Sequence, residues 1–324
     1  NPMASMRFSC TQVGPNSLVY GTEDDLLKGL SSIETYAKPE RVFVESNCSV
    51  SLVGDDVQGI ADQMDLPWPV YAMDSGGMKG SFEAGYSAAS LRIEKEMKTK
   101  EKIPASVNVL GLSTVHMKGR EDAEEIRRLL SLCGIRVISM PGGGSSWEDI
   151  MEAPSAFLNI VVRDELGLSL AKQMERDFGT PYMSCGLPYG TDGTMAWLSE
   201  IIEKLGAGEL TRASHEAAKL KEFLLRKGNN LESLWGPLWF DAVLISAPPS
   251  EALGIAEAIR SEWIDTARLC IHAQCETEKS TPAADAIRVV MKNEKEIAKD
   301  YEDWQGGLVL SSSHETHLFR RMGR

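Results

Sequence analysis

The chain has 324 residues, 43% hydrophobic and 25% charged, which is enough to bury a sizeable core and long enough for two or three domains. No apolar run approaches the ~20 residues that span a bilayer, and Asn1-Pro-Met-Ala-Ser-Met6 lacks the apolar stretch of a signal peptide, so a cytoplasmic protein is expected. A formal net charge of −13 argues against nucleic acid, whose phosphates need a basic face; a solvated acidic surface is the plain reading, and docking to a basic patch on another protein the alternative.

Short β-branched runs alternate with longer amphipathic stretches, the pattern of βαβ units and a mostly parallel sheet. Three α/β units are expected, over residues 1–103, 104–209 and 210–324. In the first, Arg41–Glu45 reads as a buried strand, Val53–Met64 as a helix with Asp55 and Asp56 near its start, and Pro69–Asp74 as a second strand. A loop with Gly76, Gly77 and Gly80 follows, then a helix from Ser81 to about Lys100. After a linker rich in lysine and glutamate, Lys98–Pro104, the second unit alternates strands at Val107–Leu112, Ile135–Met140, Ala156–Val162 and Pro181–Cys185 with helices at Asp122–Cys133, Leu168–Phe178 and Thr194–Leu205. A charged helix, Leu210–Lys227, leads to the third: strands Asp241–Ser246, Leu269–Ala273 and Gly307–Leu310, and helices Glu251–Trp263, Lys292–Trp304 and His317–Met322.

The sharpest segment is Glu45-Ser-Asn-Cys48-Ser-Val-Ser-Leu-Val-Gly-Asp55-Asp56. It puts a cysteine just past the carboxyl end of a strand, the edge where open α/β sheets bind ligands. Backbone N–H groups near a helix start favour a thiolate there, as nucleophile, redox thiol or iron–sulfur ligand. A buried structural thiol explains the same spacing equally well, and the six cysteines form no CxxC pair. The next segment, Asp74-Ser-Gly76-Gly77-Met-Lys79-Gly80-Ser81, allows close backbone approach to a ligand, and Lys79 could meet an anion. It is neither GxGxxG nor a Walker A sequence, so no bound nucleotide is expected; a plain strand-to-helix turn is as good a reading.

Elsewhere the signals are weaker. Pro141-Gly-Gly-Gly-Ser-Ser146 has no positioned Lys or Arg and reads as a mobile loop. Pro248-Pro249-Ser250 reads as a strand stop with Ser250 capping a helix. His314 and His317 read as a surface pair, and His272 beside Cys270 and Cys275 is a conceivable but poor metal group, because Cys275 lies past the strand end.

In chain order these segments resemble the nitrogenase component 1 family, which includes molybdenum–iron protein subunits, cofactor-assembly scaffold subunits, dark-operative protochlorophyllide reductase and the reductive cyclase of nickel tetrapyrrole synthesis. Leu18–Leu26 is similar to the family's "VFGGEEKL", Glu45–Asp56 to "S-x-C-x-x-x-x-I/V-G-D-D", and Met78–Ser81 with Gly85-Tyr86 to "GFKGS…GY". Ala153–Asn159 is similar to "AxxAxLN", Gly179–Tyr182 with Gly190–Thr194 to "GIPY…PxGxxGT", and Ser311–Gly323 to "GSSHEKxxAxKMG".

The resemblance implies three Rossmann-like parallel-sheet units. It also implies an iron–sulfur cluster, of the 4Fe–4S type, at the interface with a same-family subunit, with Cys48 as a ligand and electrons from an ATP-dependent iron protein. The family's upstream "HGPxGC" segment is not matched here, so Cys10 is at best a substitute ligand. Gly76, Gly77, Lys79 and Gly80 are the candidate cofactor-binding residues. The cysteine that holds the catalytic metallocluster of nitrogenase follows the "LN" strand, where this chain has Val162 and Arg163, and the family's late histidine would lie beyond Arg324. A nitrogen-fixing site is therefore not expected. A subunit reducing a bulky, tetrapyrrole-like substrate is, with a non-catalytic scaffold for metallocluster or cofactor assembly as the alternative.

Overall fold

The structure, a computed structural model, describes residues 8–36, 38–236, 239–289, 304 and 307–321. The chain divides into two compact units, Asn1–Met97 and Lys98–Arg324.

The first unit opens with helices α1 (Pro15–Tyr20) and α2 (Glu23–Tyr36), then alternates β1 (Val42–Glu45), α3 (Cys48–Val53), α4 (Val57–Asp62), β2 (Val70–Met73) and α5 (Phe82–Glu94). β1 and β2 pair in parallel, Val42 beside Val70 through Glu45 beside Met73. Leu26 and Leu30 of α2, Ile60 and Ala61 of α4, Trp68 and Val70 form the core. The second edge of β2 would carry unpaired backbone groups, which are costly to bury. Gln58 satisfies two of them: its amide donates to Val70 O at 3.0 Å and accepts from Ala72 N at 2.9 Å.

Two expectations change here. The single helix expected over Val53–Met64 is two helices, because Gly54 (φ 80°) takes the left-handed conformation that ends α3, and Asp56 then caps α4. The helix expected to reach Lys100 stops at Glu94.

The second unit carries two parallel sheets. One has the order β4-β3-β5-β6, built from β3 (Ile103–Leu110), β4 (Arg136–Ser139), β5 (Ala156–Val161) and β6 (Tyr182–Ser184). Its helices are α6 (Gly119–Leu132), α7 (Trp147–Glu152), α8 (Asp164–Phe178) and α9 (Thr191–Leu205). The near-continuous apolar runs of β3 and β5 are those of strands covered on both faces, and Val107, Val109, Leu158 and Ile160 are buried. Asn108 and Asn159, cross-strand neighbours, bond side chain to side chain at 2.8 Å, and Asn108 also donates to Ala153 O at 2.8 Å. The Ala153–Asn159 segment is thus a buried polar fastening of the sheet.

Helix α10 (Thr211–Trp235) precedes the other sheet, of order β10-β7-β8-β9: β7 (Trp239–Ala247), β8 (Asp265–Ala273), β9 (Ala286–Val289) and β10 (Leu308–Leu310). Helix α11 (Pro249–Ala258) runs into a π-helical turn, Ile259–Trp263, where one helix was expected, and α12 (Ser313–Arg321) closes the described chain. The helix expected over Lys292–Trp304 lies outside the described residues, Trp304 excepted. No described helix is long and apolar enough to cross a membrane.

Candidate functional site

Cys48 is the first residue of α3, directly after β1, and its side chain is exposed. Asn47 caps the helix, its side-chain oxygen accepting from Val50 N at 3.0 Å. The motif residues downstream are architectural. Asp55 accepts from Thr22 N at 2.5 Å and from Thr22 Oγ1 at 2.8 Å, which ties the α1–α2 turn to the far end of α3. Asp56 accepts from Gly59 N at 2.9 Å. The segment therefore presents one cysteine on a short helix anchored at both ends.

The glycine loop is shaped by the same helix. Ser51 Oγ of α3 donates to Asp74 Oδ1 at 2.7 Å, and Lys79 Nζ pairs with Asp74 Oδ2 at 3.0 Å. The Ser51 hydroxyl and then Lys79 hold the Asp74 carboxyl below the usual carboxylate range. A Cβ on Gly76 would stand 2.5 Å from Ser51 Oγ and 3.4 Å from Cys48 Cα, one on Gly77 3.6 Å from Cys48 Sγ, and one on Gly80 2.8 Å from Ala84 Cβ of α5. The structure thus brings Gly76 and Gly77 to Cys48, sets Gly80 against α5, and engages Lys79 with a carboxylate of its own loop. Asn47 and Ser51 were missed as positioning residues. An asparagine just before a helix start was a signal for the first; nothing local signalled the second, whose partner is 23 residues away.

Other candidates disperse. Cys10 is exposed and its neighbour Thr11 lies against α2, its Cγ2 3.0 Å from where a Cβ on Gly29 would be. The 141–146 loop is fastened: Gly142 O accepts from Thr114 N at 2.8 Å, Ser145 Oγ accepts from Met140 N at 2.8 Å, and Ser146 starts a capping box on α7. Ser250 does not cap its own helix, whose cap is Pro248; its hydroxyl accepts from Asp164 N at 3.0 Å and so caps α8. Burial pushes the Cys270 thiol up, and His272 is buried in β8.

An iron–sulfur cluster takes about four protein ligands, mostly thiolates. Among the described residues no group of three or more His, Cys, Asp or Glu is placed to hold a metal. Cys48, exposed beside Gly76 and Gly77, fits one ligand of a cluster whose other ligands lie elsewhere. It does not make a site by itself.

A family model described as nitrogenase component 1 type oxidoreductase matches residues 2–324. Among curated proteins the chain is 30% identical over 228 residues to the nitrogenase iron-molybdenum cofactor biosynthesis protein NifE of Clostridium pasteurianum, covering 69% of this chain and 47% of that protein. It is 25% identical over 236 residues to a light-independent protochlorophyllide reductase subunit of Chloroherpeton thalassium, covering 72% of this chain and 44% of that protein. The chain spans about half the length of these relatives. Among solved structures, one described as nitrogenase Cp1 at pH 5 superposes with a TM-score of 0.66 at 22% identity, over 96% of this chain and 66% of that one. At that identity the likeness is one of fold.

Proposed function

The chain belongs to the nitrogenase component 1 type oxidoreductase family, and from that premise we propose that it is a component 1-like subunit holding an iron–sulfur cluster of the 4Fe–4S type at a subunit interface. Cys48 is the ligand this chain contributes, with Cys10 as a candidate second and Gly76, Gly77, Lys79 and Gly80 as the loop bordering the cluster. The remaining ligands come from a same-family subunit, in a homo- or heterodimer. An ATP-dependent iron protein supplies the electrons, the substrate is bulky and tetrapyrrole-like, and the complex works in the cytoplasm. When bound, the cluster relays single electrons; the chain's own contribution is to hold one thiolate at a strand end with two glycines, Gly76 and Gly77, facing it.

The observation that supports this is the exposed Cys48 at the start of α3 with Gly77 beside its sulfur. The test is anaerobic reconstitution of the full chain, with its partner subunit where one is known, followed by iron analysis and visible absorption. Bound iron lost in Cys48→Ala is expected. A chain that holds no iron under strictly anaerobic conditions sinks the cluster reading.

A second reading is favoured by the similarity to a protein named for cofactor biosynthesis: a scaffold that holds a metallocluster precursor or small molecule without turnover. Stimulated ATP hydrolysis by a matched iron protein decides for the reductase; its absence, with a bound precursor recovered, decides for the scaffold.

A further inference from the structure

Within the second unit, the carboxyl ends of β3, β5 and β7 meet at a charged seam. Arg163 follows β5 and its side chain is 3% exposed. Its Nε and Nη2 donate to Glu251 Oε1 at 2.9 and 2.7 Å, and its Nη1 lies 3.4 Å from Gly111 O, just past β3. Glu251 is in the first turn of α11, and His116 Nδ1 lies 3.9 Å from the same oxygen. Beside this pair, Ser250 Oγ accepts from Asp164 N and donates to Glu165 Oε2 at 2.5 Å. Lys279, after β8, bonds Asp164 at 2.6 Å.

Glu251 pairs with the guanidinium directly, and Asp122 and Glu165 also feel its charge. Burial pushes the Asp122 and Glu165 carboxyls up, and burial, then Glu251, pushes up the Tyr189 hydroxyl. Strand carboxyl ends are where α/β sheets take their ligands, and the family resemblance would put a metallocluster cysteine just after β5. The residue standing there is unsuited to that role. A guanidinium stays protonated, has donors only and offers no lone pair to a metal.

We propose that the Arg163–Glu251 ion pair is a lock that takes the place of a bound metallocluster at these strand ends and joins the β3–β5 sheet to the β7 sheet. Arg163 is buried and Glu251 partly so, and removing one partner of such a pair strands the other charge, which is costlier than the pair is worth. Neighbouring Asp122 sharpens this, since Glu251 without Arg163 would face its carboxyl unopposed. The inference stands apart from the Cys48 reading, because it concerns another unit and a different chemistry.

The test is hydrogen exchange on the full chain, wild type against Arg163→Met and Glu251→Gln. Exchange at the Asp164 amide and the first turn of α8 should rise at least about tenfold in both variants. The buried β3 amides of Val107 and Val109 should keep their wild-type rates, which marks the fold as intact. Wild-type seam rates in either folded variant overturn the lock. If Arg163→Met loses β3 protection as well, Glu251→Gln, which keeps shape and removes only charge, carries the decision. A second measurement adds iron(II) and sulfide anaerobically to Cys48→Ala. Seam rates unchanged and no bound iron are expected; iron held there together with slowed seam exchange overturns the lock. Iron missing from the wild type would instead count only against the Cys48 reading.

Discussion

The Cβ that any residue but glycine would carry at position 77 stands 3.6 Å from Sγ of Cys48, while the one at position 76 would stand 2.5 Å from Ser51 Oγ. Two adjacent glycines therefore do different things. Gly77→Ala makes an ordinary van der Waals contact at an exposed site, so stability should change by no more than about 0.5 kcal/mol, yet the added methyl shields the sulfur. Gly76→Ala must push Ser51 off Asp74 in a buried place and should cost about 1–3 kcal/mol. Urea unfolding separates the two, and alkylation of Cys48 should slow in Gly77→Ala. Equal loss of stability in both variants would refute the distinction.

The two hydrogen bonds from Thr22 to Asp55 set a second expectation. Thr22 is buried, and Leu26 N, in the first turn of α2, bonds to its carbonyl. Asp55→Ala leaves the Thr22 N–H and hydroxyl without their acceptor, at a cost of about 2 kcal/mol for bonds to a charged group. Exchange of the α2 amides is the measurement, and unchanged rates would show that the turn is held by something else.

Burial pattern explains how much of this was legible. The Val, Ile and Leu runs of β3, β5 and β7 read as covered strands, and the position of Cys48 just past Arg41–Glu45 is that of a strand's carboxyl end. Gly54 was not legible as a helix end, since Asp55 and Asp56 look equally well placed in the first turn of a helix from Val53. From its sequence Ser250 is expected to cap its own helix, yet its hydroxyl serves α8, 86 residues earlier. Arg163 on Glu251 spans 88 residues, and Ser51 on Asp74 spans 23. Such pairings exist only once the sheets have packed. β9 is not legible, because Ala-Ile-Arg-Val is a short, largely exposed edge with little hydrophobic signal.

Thiol chemistry should sort the cysteines by environment. Burial, and next Glu200, push the Cys185 thiol up to about 12, and burial raises Cys133 as well. Cys48 and Cys10 are exposed. At about pH 8 a maleimide should label Cys48 and Cys10 well before Cys185 and Cys133, because only thiolate that solvent can reach reacts. Peptide mapping after graded labelling is the readout. Early modification of Cys185 would mean that the β6 end opens in solution.

Glu262, in the π-helical turn after α11, reaches across to the N-terminus of α9. Its Oε2 accepts from Thr191 N at 2.7 Å and Thr191 Oγ1 at 2.6 Å, and its Oε1 from Asp192 N at 2.8 Å and Gly193 N at 3.1 Å. A helix N-terminus leaves such N–H groups unpaired and favours negative charge. Burial, the largest single effect, opposes ionisation. The Thr191 hydroxyl and the three backbone donors together outweigh it and hold the carboxyl below its ordinary value. The sign follows. A lowered pKa means stabilisation that is fully present above the unfolded value, about 4.3 for glutamate, and lost as pH falls through the folded one. Glu262→Gln should therefore cost about 1–2 kcal/mol at neutral pH, and the gap to wild type should close as pH falls below about 4. Urea unfolding of both chains across that range measures it. A gap that stays constant into acid would mean that the contact works through shape, with the carboxylate charge contributing nothing.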